Sequence, residues 1–80
     1  YKHGFRYDIV GQLLENGSMS CCQLASHFAL DELYIAEQLD ILRSTGLVLV
    51  ESTAGGPYFY ANVPKLMHIK AVVNQFNNEN

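Results

Sequence analysis

The stretch SCCQLASHFALDELYIAEQLDILRSTGLV, Ser20 to Val48, decides the fold. Ser20 opens it with Gln23 three residues on, the spacing at which a Ser hydroxyl accepts a backbone N–H while the Gln amide reaches back. A short helix is predicted over Cys21 to Phe28, burying Leu24, Ala25 and Phe28. Ala29-Leu30 reads as a tight turn. Asp31 suits the N-cap of the next helix, and Glu32 adds negative charge at its positive end. That helix is predicted to run to about Ser44 with Ile35, Leu39 and Leu42 inward. Gly46 ends it, because glycine accepts the left-handed conformation a C-cap needs.

Working outward, Phe5, Ile9, Val10, Leu13 and Leu14 have helical spacing over Phe5 to Glu15, and Asn16-Gly17 stops that helix. Ser18-Met19-Ser20 is a short extended link, one β-bridge long. After the deciding stretch, Leu47 to Ser52 is rich in β-branched residues and reads as a strand. Thr53 to Pro57 reads as a turn and Tyr58 to Ala61 as the returning strand of a hairpin. Pro64 fits the first turn of a last helix, where its missing N–H costs nothing. Leu66, Ile69, Val73 and Phe76 stripe that helix, with Met67 and Val72 beside them.

The expected fold class is mainly α with a small β-hairpin, in the order α-α-α-β-β-α with a short extra strand before the second helix. One domain is expected over residues 1–76, with an unstructured tail over 77–80. The expected core is Ile9, Leu13, Leu24, Phe28, Leu30, Ile35, Leu39, Leu42, Val48, Val50, Tyr60, Leu66 and Ile69.

Eighty residues with 49% apolar side chains support one small core and leave no room for a second. Eight Asp+Glu against five Lys+Arg give a net charge of −3, which argues against a surface made throughout for phosphates. No apolar run approaches a membrane span and no signal-peptide pattern opens the chain. Tyr1 in place of an initiator Met reads as a fragment of a longer protein. Cys21 and Cys22 are adjacent, which disfavours a bridge between them, and a secreted domain of this size would carry several spaced cysteines. A cytoplasmic location is expected.

Leu24-Ala25, Leu30, Leu39, Leu42, Arg43, Gly46, Leu47 and Val48 resemble the "LA…LS…HLxxLRxxGLV" pattern of winged helix-turn-helix repressors of the ArsR/SmtB type. The Gly-rich turn and Tyr58-Phe59-Tyr60 resemble their wing and its aromatic return strand. The resemblance spans about Ile9 to Phe76. It implies a DNA-binding transcriptional regulator, a homodimer joined through the first and last helices, with the third helix in the major groove of double-stranded DNA. Phe5, Ile9, Met67, Val73 and Phe76 are the expected dimer contacts.

On that reading Tyr34, Glu37 and Gln38 would meet the DNA on the third helix. A Gln amide pairs with adenine through both its atoms, and a carboxylate accepts from the cytosine amino group. Arg43 and Lys65 are the expected phosphate contacts. Three carboxylates on the same helix, Glu32, Glu37 and Asp40, would face a polyanion, and the wing carries no basic residue. The alternative is a winged-helix module that binds protein, with Leu33 and Tyr34 as apolar anchors and Glu37 and Asp40 on the rim.

Cys22 resembles the second Cys of the "ELCVCDL" metal-sensing motif of some members. Ser20 stands at the first position, and His68 lacks the companion ligands of the zinc-sensing helix. Two readings remain for Cys21 and Cys22: small apolar side chains near the core, or a redox or metal sensor whose thiol is activated by a helix N-terminus. No bound metal and no cofactor are expected. There is no phosphate-binding glycine loop and no nucleophile beside a base, so no enzymatic activity is expected.

Overall fold

A computed structural model describes the backbone of residues 4–78 and the side chains of residues 5–70. The chain runs α1 (Gly4–Asn16), β1 (Ser18–Met19), α2 (Cys21–Phe28), α3 (Glu32–Ser44), β2 (Val48–Thr53), β3 (Gly56–Ala61) and α4 (Val63–Asn78). The result is a small, mainly helical molecule of four helices and a three-stranded antiparallel sheet, compatible with a winged-helix-like arrangement.

Local chemistry sets each boundary. Gly17, at φ +90°, stops α1 and donates its N–H to the Leu13 carbonyl. The capping box at α2 is complete: Ser20 Oγ accepts from the Gln23 N–H at 3.1 Å, and Gln23 Oε1 accepts from the Ser20 N–H at 3.0 Å. Ala29 ends α2 in the left-handed conformation at φ 57°, a position glycine fills at lower cost. Gly46, at φ +81°, turns the chain from α3 into β2. Asn62 joins the two ends of the next segment. Its Nδ2 donates to the Gly46 carbonyl at 2.8 Å, and its Oδ1 accepts from the Lys65 N–H at the start of α4.

The sheet order is β1-β3-β2. Ser18 and Met19 pair with Tyr60 and Phe59, and β2 pairs with β3 from Val48↔Ala61 to Thr53↔Gly56. The hairpin is longer than the sequence indicates, because only Ala54 and Gly55 lie outside the ladder. Thr53 tightens that turn, its hydroxyl donating to the Gly56 carbonyl at 2.7 Å and accepting from the Gly55 N–H. Pro57 is tolerated inside β3 because the two-residue β1 does not reach it, so one side of β3 is open there.

α1 and α2 lie against β3, and α3 against β2. Ile9, Leu13, Leu24, Ile35, Leu39 and Val48 fill the space between, joined by Val10, Met19, Ala25, Leu42 and Ala61. Phe28 and Leu66 pack on this core only in part, and Val50 and Tyr60 are half-buried. Two expected core residues are on the outside: Leu30 is 38% exposed in the turn before α3, and Ile69 is 41% exposed on α4. α4 reaches Asn78, so Asn77 and Asn78 belong to the helix and not to a tail. Residues 79–80 lie outside the described residues. No helix among the described residues is long and apolar enough to cross a membrane.

Candidate nucleic-acid interface

α3 turns Ile35, Gln38, Leu39 and Leu42 into the core. Its outer face therefore presents Glu32, Leu33, Glu37, Asp40, Arg43 and Ser44. Beside the end of this face lies an open groove of about 500 Å³ between α3 and the hairpin, lined by Asp40, Arg43, Ser44, Val48, Leu49, Val50 and Tyr60. The groove mixes a guanidinium, a carboxylate and two hydroxyls with an aliphatic floor.

The residues expected to meet DNA are scattered by the packing. Glu37 is exposed, as a base-reading residue must be. Gln38 is not available: it is 8% exposed, and its Oε1 accepts a 2.9 Å hydrogen bond from Arg6 Nε on α1. Helical geometry puts position 38 at the edge of the core face, just beyond Leu42, and its amide tethers α1 to α3. Tyr34 is half-buried, its ring centroid 5.9 Å from that of Phe5. Arg43 is exposed and makes a long ion pair with Asp40 at 3.9 Å. Lys65 is also exposed, but its ammonium donates to the Thr45 carbonyl, where it complements the negative end of α3.

The two cysteines at the start of α2 differ in their surroundings. Cys21 donates its S–H to the Glu32 carbonyl at 3.4 Å. Its pKa is raised by burial, then by the nearby Glu32 and Cys22, the opposite direction to activation at a helix start. Cys22 is exposed, and both cysteines are free. Among the described residues no group of three or more His, Cys, Asp or Glu side chains is placed to hold a metal ion.

Of the expected dimer contacts, Ile9 is excluded because it is completely buried in its own core. Phe5 is half-buried and its ring meets Phe28 edge-on at 4.9 Å. Met67 is 65% exposed on α4. The side chains of Val73 and Phe76 lie outside the described residues. The open apolar positions of α1 are instead Tyr7 and Leu14.

The sequence reading missed two arrangements. The Arg6–Gln38 bond joins residues 32 apart in sequence, and no local pattern marks it. The aromatic cluster of Phe5, Phe28 and Tyr34 draws one ring from each of three helices. Comparison with family models, with curated proteins and with solved structures finds no match to this chain.

Proposed function

We propose that the chain is a winged helix-turn-helix domain acting as a dimeric, DNA-binding transcriptional regulator. The observation that carries this reading is the exposed outer face of α3. That helix follows α2 after a three-residue link, Ala29 to Asp31, and is flanked by a groove and a β-hairpin. In this arrangement α3 enters the major groove and the hairpin lies along the backbone. Glu37 is the base-reading candidate on the helix, and Leu33, 68% exposed, meets a thymine methyl. Arg43 supplies a phosphate contact, since an exposed ion pair such as that with Asp40 holds it with little energy. Lys65 orients the end of α3. The domain is read as cytoplasmic and without catalytic activity of its own.

A second reading has one specific observation in its favour. Leu33 stands open on α3 with Glu37 and Asp40 on the same face, the composition of an apolar anchor with an acidic rim.

One experiment separates them: binding to random duplex DNA measured over a range of salt, for the native chain and for Glu37→Arg. DNA binding predicts an affinity that falls with salt by a power of about 0.9 per phosphate neutralised. It also predicts tighter binding by Glu37→Arg. Absence of binding at low salt by both proteins overturns the regulator reading and leaves the protein-docking one.

A further inference from the structure

The pocket at the junction of α1, α2 and α3 is lined by Phe5, Asp8, Phe28, Leu30 and Tyr34, away from the outer face of α3. We propose that it is a binding site for a small organic cation, an ammonium bearing methyl or aryl groups. Its volume of about 330 Å³ matches a small ligand. Its walls are three aromatic rings and a leucine, so the ligand must present apolar surface. The rings are not stacked flat. Phe5 meets Phe28 with planes at 63° and Tyr34 with planes at 42°, and all three residues line the same space.

The charge at the pocket selects the sign of the ligand. Aromatic faces carry negative potential and attract cations, most strongly those that shed water easily. The one charged side chain among the lining residues is the carboxylate of Asp8. No cation of the described residues lines the space. Arg6, two positions before Asp8, is bound to Gln38 and borders a separate hollow with Tyr7, Ile41 and Leu42. His27 meets the Phe28 ring edge-on at 4.8 Å but is not part of the lining. A metal ion is a poor occupant, because a single carboxylate among hydrocarbon walls leaves its coordination unfilled. A neutral apolar molecule would leave the carboxylate unused.

Tyr34 is on α3, so an occupied pocket bears directly on the helix assigned to DNA. That coupling rests on the regulator reading, whereas cation binding does not and is tested on the free protein without DNA.

The test is a titration followed by NMR, using choline and its neutral carbon isostere dimethylbutanol as probes. Choline is expected to shift the resonances of Phe5, Phe28 and Tyr34 and to bind about tenfold more tightly than the isostere. Asp8 is exposed and makes no side-chain hydrogen bond among the described residues, so Asp8→Asn keeps the fold. It is expected to reduce choline affinity severalfold and leave the isostere unchanged. Tyr34→Leu keeps apolar volume while removing a ring, and is expected to weaken choline more than the isostere. Equal affinity for the two probes, or no shift of these rings by choline at tens of millimolar, overturns the proposal.

Discussion

Gln38 shows how a single side chain is misjudged when polarity is allowed to decide its direction. At about 100° per residue, position 38 lies some 60° from Ile35 and 40° from Leu42 on the helical wheel, just beyond the Leu42 edge of the arc that the apolar spacing marks as core. Its place at the flank of the core face was legible in the spacing. The partner was not, because Arg6 sits a whole helix away and nothing local pairs them. A buried amide that accepts from a guanidinium is a structural joint, so Gln38→Ala is expected to destabilise the domain by about 1–3 kcal/mol. A free base-reading residue would give no such loss. Urea unfolding of Gln38→Ala, Arg6→Ala and the double variant checks this. The two losses should overlap by about 1 kcal/mol, because the residues share one bond. Strict additivity would show that the bond contributes nothing. Lys65 is a similar case, since its carbonyl partner at Thr45 is brought close only by the hairpin between them.

At the scale of elements, the helix starts were legible and their energetics were not. Ser20 and Asp31 both read as N-caps, and both stand in extended conformation at the head of a helix. Only Ser20 makes the side-chain bond; Asp31 makes none. Ser20→Ala is therefore expected to cost about 1 kcal/mol. Asp31→Ala should cost about 0.3 kcal/mol, the low end for an exposed charge beside a helix start. Denaturation midpoints of the two variants at matched slope test this, and equal losses would contradict it. The strands teach a complementary lesson. Their β-branched and aromatic run was clear, but Gly and Pro in Gly55-Gly56-Pro57 read as a long turn. In the folded chain Gly56 pairs with Thr53 and Pro57 with Ser52. A turn signal in sequence marks where a ladder can close and does not measure how far the ladder extends. The candidate site divides in the same way. Its helix and its flanking hairpin were read from local pattern, while the direction of each side chain on it depended on contacts between elements.

At the scale of the whole molecule, the outline is elongated, 47 × 28 × 21 Å. Sixteen residues make α4 about 24 Å long, and of its described apolar side chains only Leu66 packs on the core. Val63, Met67 and Ile69 are 44%, 65% and 41% exposed. On α1, Tyr7 and Leu14 are exposed as well, seven residues apart and so on one side of that helix. Side chains of this size in open water are a cost that a second copy removes, and a two-fold dimer brings the same patch of both subunits together. Such symmetry also suits the proposed function, since two copies of α3 set about 34 Å apart read successive turns of one face of DNA. A homodimer is thus expected, with a melting temperature that rises with protein concentration. Met67→Lys combined with Tyr7→Lys should shift the species seen in sedimentation equilibrium toward monomer. Because both residues are exposed in the single chain, the variant should keep its helical circular dichroism, which separates lost association from lost folding. It should also bind random duplex DNA more weakly than the native chain, since two linked half-contacts become one. A native protein that sediments as a monomer at every concentration, with a melting temperature independent of dilution, would remove the dimer, and α3 would then have to hold DNA with the few cations of a single subunit.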